Sequence, residues 1–100
     1  MKRIVLLCAA GMSTSLLVTR MQKAAQADGF ECDINAYPLS DEKRVVPNAD
    51  VVLLGPQVRF NLSKLKGEYP DKKIDAIPMQ TYGMMDGEGV LKQARTLLGE

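Results

Sequence analysis

The stretch Ile4-Val5-Leu6-Leu7-Cys8-Ala9-Ala10-Gly11-Met12-Ser13-Thr14-Ser15 decides the fold. Four apolar residues in unbroken succession mark a strand covered on both faces, because neither face presents a polar side chain to water. A cysteine, small residues and one glycine follow, then three hydroxyls in a row. That composition suits a tight turn from a buried strand into a helix. Val51-Val52-Leu53-Leu54 repeats the apolar run, and two such strands separated by helical patterning imply a parallel sheet between layers of helix.

Working outward, Leu17, Met21, Ala24 and Ala25 recur at i, i+4, i+7 and i+8, one face of a helix. Ser13 is its expected N-cap and Gly29 its stop. Residues 30–37 alternate loosely and read as a half-buried strand; residues 38–48, with two prolines and several charges, read as a loop with one short helical turn. Pro56 suits the first turn of a second helix whose apolar face is Val58, Leu62, Leu65 and Tyr69, ended by Pro70. Residues 73–77 form a shorter fourth strand bounded by Pro78, and a last helix starts near Asp86 with Val90, Ala94, Leu97 and Leu98 as its stripe. The order βαβ(loop)βαβα predicts an α/β chain: a single four-stranded parallel open sheet with helices on both faces. No repeat or linker divides it, so residues 1–100 are expected to form one domain.

Composition narrows the chemistry. The 100 residues carry 13 basic and 12 acidic side chains, a net charge of +1, which gives no electrostatic basis for binding nucleic acid or an anionic membrane. The chain has no histidine, which excludes Ser-His-Asp and Cys-His nucleophile pairs and most zinc sites. Its two cysteines, Cys8 and Cys32, lie in separate apolar runs and form neither a disulfide scaffold nor a C-x-x-C pair. Lys2-Arg3 followed by four apolar residues imitates a secretory signal but is too short for one. No apolar run approaches the ~20 residues of a membrane span. A cytoplasmic location with no membrane insertion is expected, and any chemistry must rest on thiol, hydroxyl, carboxylate or backbone amide groups.

In open parallel sheets, sites form beyond the carboxyl ends of the strands, where strand order reverses. Residues 8–15, 55–59 and 78–87 occupy those ends. The first segment has the features of an anion nest. Small side chains let backbone amides converge, Gly11 permits a positive φ, and the helix N-terminus adds partial positive charge. The same field favours the thiolate of Cys8. A thiolate and a bound phosphate want one environment, so the pattern suits a cysteine that carries a phosphoryl group. The loop is neither a Walker A motif, which needs G-x-x-x-x-G-K-[ST], nor a dinucleotide fingerprint. Two blander readings stand beside it: Cys8 as a buried small hydrophobe, and the three hydroxyls as helix caps.

Cys8-Ala9-Ala10-Gly11-Met12-Ser13-Thr14-Ser15-Leu16-Leu17-Val18, Ala49-Asp50-Val51-Val52-Leu53-Leu54-Gly55-Pro56-Gln57 and Tyr82-Gly83-Met84-Met85-Asp86-Gly87 together resemble the enzyme IIB component of the phosphoenolpyruvate-dependent sugar phosphotransferase system, of the lactose/cellobiose (chitobiose, lichenan) type. The likeness spans the chain in order. It implies a cytoplasmic phosphocarrier without cofactor or metal. Cys8 would accept phosphate from a phosphohistidine of enzyme IIA and pass it to a cellobiose- or chitobiose-type disaccharide held by the membrane enzyme IIC. It also implies that Ala9, Ala10, Gly11, Met12, Ser13, Thr14 and Ser15 surround the phosphoryl group, with Gln57, Arg59, Tyr82 and Asp86 at the rim. Two partners using one sulfur in turn lead us to expect that sulfur to be exposed.

The implied fold is also similar to that of the low-molecular-weight tyrosine phosphatases, which supplies a second reading. Their loop is Cys-x5-Arg-[Ser/Thr]; counted from Cys8, the arginine position is Thr14 and the hydroxyl position Ser15. Arginine stabilises charge on the equatorial oxygens during phosphoryl transfer, so its absence disfavours hydrolysis and lengthens the life of a thiophosphate. Asp86 reads as a helix cap or as a phosphatase general acid. A third reading is a non-catalytic anion-binding regulatory module. Cys32 is expected in the core, and Arg20, Arg44 and Arg59 either meet an acidic partner or are simply solvated.

Overall fold

The computed structural model describes residues 1–9 and 12–100, without the side chains of Met12 and Ser13. Its strands are β1 (Lys2–Cys8), β2 (Cys32–Pro38), β3 (Val51–Leu54) and β4 (Lys73–Ala76), and all three pairings are parallel. The sheet order is β2-β1-β3-β4. Ile4 stands between Ile34 and Val51, and Leu7 between Tyr37 and Leu54. The two apolar runs are thus the two central strands, which explains their lack of alternation. Edge strand β2 lacks that double cover, and its burial alternates more.

Five helices accompany the sheet among the described residues: α1 (Met12–Ala27), α2 (Glu42–Val45), α3 (Leu62–Glu68), α4 (Met79–Gly83) and α5 (Gly87–Leu97). The period of two along each strand sorts the core into two layers. Ile4, Leu6, Val51 and Leu53 face α1 and α5, meeting Leu17, Met21, Val90, Leu91 and Ala94. Val5, Leu7, Val52 and Leu54 face the other way, toward Val45, Val46, Val58 and Leu65. Each large aliphatic side chain fully removed from water contributes about 2 kcal/mol, so both faces need their helices. The expected α/β architecture and strand order along the chain are those observed.

Local differences have local causes. Of residues 38–48, expected as a loop with one helical turn, Pro38 ends β2 and residues 39–48 form a continuous run of 3-10, α and 3-10 turns. Val45 and Val46 are buried, and Pro47 stands in a first turn, where it is tolerated. The second helix does not begin smoothly at Pro56. A 3-10 segment (Pro56–Asn61) leads into α3, broken at Val58 (φ −121°, ψ 16°), whose side chain is drawn into the core. Within residues 78–87, read as a loop, α4 appears; five residues are too few to show helical periodicity in sequence. Gly29 ends α1 as expected, at φ +64°, with Phe30 N–H donating to the Ala25 carbonyl at 2.9 Å. The helix already includes Ser13, so that residue is not its cap.

The Tyr69 hydroxyl donates to Glu42 Oε2 at 2.9 Å and ties the end of α3 to α2. Burial, then the hydrogen bond to Glu42, holds the phenol above its ordinary value of 10.0. Burial, with Asp33 adding and Arg95 opposing, likewise raises the Cys32 thiol above 9.0. In both cases folding favours the protonated group. The stabilisation is therefore full below the unfolded pKa and lost as pH rises through the folded one. We expect urea midpoints to fall as pH rises above about 9, where the unfolded thiol and then the unfolded phenol begin to ionise. Tyr69→Phe should flatten the upper part of that decline; an unchanged slope would show that the tyrosine does not contribute to it.

Candidate functional site at the switch in strand order

Strand order reverses between β1 and β3, because the chain leaves β1 toward β2 on one side and later returns to β3 on the other. The crevice outside the carboxyl ends of these two strands is where open sheets place ligands. Cys8 is the last residue of β1, and Gly55 follows β3 directly. Gly55 N–H donates to the Leu7 carbonyl at 2.8 Å, extending the pairing past the strand ends. A Cβ at Gly55 would lie 2.9 Å from Gln57 Oε1 and 3.7 Å from the Cys8 Cβ. Gln57 therefore folds back over Gly55, beside the cysteine.

Cys8 itself is only 2 % exposed. Its thiol points at the Tyr37 carbonyl, 3.7 Å away, on the neighbouring strand. The expectation of an exposed sulfur is thus corrected. Cys8 closes a central strand whose residues 4–7 are also buried, and it shares their covered environment. Of the loop around it, Ala9 is exposed, Ala10 and Gly11 lie outside the described residues, and Met12 and Ser13 open α1.

Thr14 is 1 % exposed, the buried polar side chain among the described residues. Its hydroxyl lies 3.3 Å from the Tyr82 hydroxyl. The position that would carry the phosphatase arginine is therefore filled by a small hydroxyl inside a packed layer. Ser15 is exposed, and its carbonyl accepts from the Thr19 hydroxyl at 3.1 Å. Arg59 is exposed on the 3-10 segment after β3. Asp86 caps α5, its Oδ1 accepting from Gly89 N–H at 2.9 Å. A carboxylate engaged in this way has the capping role rather than that of a free general acid. Asp86→Ala should cost about 1 kcal/mol, read as a lowered thermal midpoint; no loss would mean the cap contributes nothing.

Sequence reading missed how the last turns are joined to α1. The Thr14–Tyr82 contact spans 68 positions, and no local pattern announces it. Arg20, read as a surface charge, donates to the Met85 carbonyl at 3.1 Å. Gly87 lies so close to α1 that a Cβ there would be 2.6 Å from the Arg20 carbonyl carbon and from Met21 N. The glycine was the available signal, since a buried glycine in a first turn marks a close approach of backbones. Leu16, Phe60, Met79 and Met84 are exposed, each on a segment that follows the end of a strand.

The fold is that of solved phosphotransferase-system IIB components. The lactose-specific IIB domain of Streptococcus pneumoniae superposes with a TM-score of 0.83 over 92 % of each chain at 18 % identity. The YwlE mutant structure from Bacillus subtilis gives 0.64 over the full length of both chains at 12 % identity, a likeness of fold alone. Residues 3–93 match the family described as PTS system, lactose/cellobiose specific IIB subunit, and the chain belongs to that family. It is accordingly a phosphotransferase component of sugar uptake. It is 46 % identical to the galactose-specific and to the cellobiose-specific EIIB components of Lactococcus lactis, covering 97 % of this chain and 96 % of each relative. It is 44 % identical to the oligo-beta-mannoside-specific EIIB component of Bacillus subtilis over 98 % of this chain and 97 % of that one. The cellobiose-specific IIB solution structure from Borrelia burgdorferi is 41 % identical, with a TM-score of 0.80 over 96 % of this chain and 90 % of that one.

Proposed function

We propose that the chain is a cytoplasmic phosphocarrier that works through a phosphocysteine at Cys8. The sulfur attacks the phosphorus of a phosphohistidine on enzyme IIA; the S–P bond forms as the N–P bond breaks, and the histidine is returned neutral. A hydroxyl of a cellobiose-type disaccharide on membrane enzyme IIC then attacks the same phosphorus; the O–P bond forms as the S–P bond breaks, and the hydroxyl proton passes to the departing sulfur. The observation that carries this reading is the position of Cys8 at the switch in strand order, next to Gly55 and Gln57, in a chain of the IIB family. Residues 9–15 are the loop that would receive the phosphoryl oxygens, with Gln57, Arg59 and Tyr82 at its rim, and the whole chain acts as one carrier domain.

Burial of the sulfur means that the in-line geometry forms only in the docked complex. Leu16, Phe60, Met79 and Met84, exposed on segments that follow strand ends, are the apolar surface offered to both partners in turn. Such contacts should be small and short-lived, because a carrier held by one partner would stall the relay. No helix among the described residues is long and apolar enough to cross a membrane, which fits sugar binding by a separate membrane partner. Relatives named for three different sugars stand at nearly equal identity. That equality supports a division in which the sugar is chosen elsewhere.

The phosphatase reading needs a guanidinium at the position of Thr14 and a free acid at Asp86. The residues present argue against both. The test is incubation with phosphoenolpyruvate, the general phosphotransferase proteins and a matching IIA component, followed by intact mass. One added phosphoryl group is expected. No label in a complete system overturns the carrier reading, and turnover of an aryl phosphate by the isolated chain would favour the phosphatase.

A further inference from the structure

We propose that Arg20 is a positioning residue for phosphoryl transfer: its guanidinium clamps the turn after α4 onto α1 and so holds Tyr82 against Thr14 beside the Cys8 loop. The inference rests on the carrier reading of Cys8 and adds a residue to it.

The turn is strained, and the strain is located. Helix α4 ends with Asp86 N–H donating to the Thr81 carbonyl at 3.1 Å and Met85 N–H to the Tyr82 carbonyl at 3.0 Å. These are the two bonds of a Schellman closure, which places its penultimate residue in the left-handed region, where glycine is the usual occupant. Met85 occupies it at φ +51°, the one non-glycine residue with positive φ among those described. Such conformations persist where the surroundings over-determine them, and they cluster at functional sites. Here the surroundings are visible: the Met85 carbonyl accepts from Arg20 Nη1, and the side chain packs on the core layer shared with α1 and α5.

The geometry is a two-point attachment. Tyr82 meets α1 at Thr14, while Met85 and Gly87 meet it at Arg20 and Met21. Positions 14 and 20 are six residues apart, roughly 9 Å along the helix. Gly87 N–H donates to the same Met85 carbonyl at 3.0 Å, and its backbone stays against α1 without the guanidinium, so loss of the Arg20 donor loosens only the turn between Tyr82 and Met85. Tyr82 reaches the site through Thr14, a residue of the loop that follows Cys8, and misplacement of a positioning group by about 1 Å slows chemistry. Arg20 also lies outside the first turn of α1, so it acts through Tyr82 and not on the phosphoryl group.

The experiment compares wild type, Arg20→Met, which keeps the aliphatic stem but no donor, and Arg20→Lys, which keeps a cationic donor. Transfer from phosphorylated IIA component is followed at varied donor concentration, and the Tyr82 ring and Thr14 methyl signals by NMR. Arg20→Met should transfer about tenfold more slowly at saturating donor, with half-saturation unchanged and both signals shifted. Arg20→Lys should recover most of the rate. A raised half-saturation with an unchanged saturating rate would overturn the proposal by making Arg20 a docking cation, as would unmoved Tyr82 and Thr14 signals. If wild type takes up no phosphoryl group, the carrier reading fails; the NMR signals then still show whether Arg20 holds the turn.

Discussion

Cys8→Ser should abolish phosphorylation of the chain in a complete relay while leaving its fold intact. The sulfur is the atom proposed to carry the phosphoryl group, and a serine hydroxyl at neutral pH is overwhelmingly protonated and a far weaker nucleophile. The expected fall in transfer rate is at least about a thousandfold, read as absence of label by intact mass and absence of sugar phosphate in a reconstituted assay. Folding should survive because the site suits a hydroxyl. The Tyr37 carbonyl that faces the thiol at 3.7 Å would accept a hydrogen bond from serine, offsetting the smaller buried volume to within about 1 kcal/mol. A serine variant that is folded and still labelled would remove Cys8 from the mechanism. One that is unfolded would say nothing of chemistry, so thermal unfolding must accompany the assay.

The largest expected effect on stability comes from a single methyl group at Gly87. A Cβ there would lie 2.6 Å from Arg20 carbonyl carbon, Arg20 Cβ and Met21 N. Two of these are backbone atoms of a long helix and cannot rotate away, so α5 must shift as a body. Over-packing of this kind costs about 3 kcal/mol, which for a chain of this size lowers Tm by roughly 15 °C. Gly83→Ala is the control. Nothing lies within 4 Å of a Cβ there, its φ is not positive, and it sits in α4. Alanine at that position should be neutral or stabilising by about 0.5 kcal/mol. Equal Tm values for the two variants would show that the α1–α5 contact is looser than the distances imply.

The two alanine substitutions also mark where sequence patterning stops. Both glycines lie in the same short stretch, Tyr82-Gly83-Met84-Met85-Asp86-Gly87, and both have similar local surroundings in the chain. Only the packing of α5 on α1 makes one indispensable and the other replaceable. The same holds for Thr14. Its spacing from Cys8 identified it as the place of a missing arginine, but its burial and its contact with Tyr82 depend on residues far away in the chain. Arg20 shows the opposite limit: an arginine on a helix surface is ordinarily solvated, and the carbonyl it meets belongs to a turn that exists only because α4 closes there.

By itself, the sequence determined the central strands, the order of the strands and of the three longest helices along the chain, the parallel sheet, and the cysteine at the end of the first strand. Those follow from local periodicity and from apolar burial, which one stretch of chain can express. It also identified Gly29 as a helix stop and Asp86 as a helix start, because caps are local hydrogen-bonding problems. The tertiary structure alone decided that the Cys8 sulfur is covered, that residues 39–48 and 79–83 are helical, and that Thr14, Arg20 and Gly87 of two distant segments form one joint. Each of those depends on which surfaces meet once both faces of the sheet are filled, and a side chain cannot express in its own neighbourhood the identity of an atom 60 or more positions away.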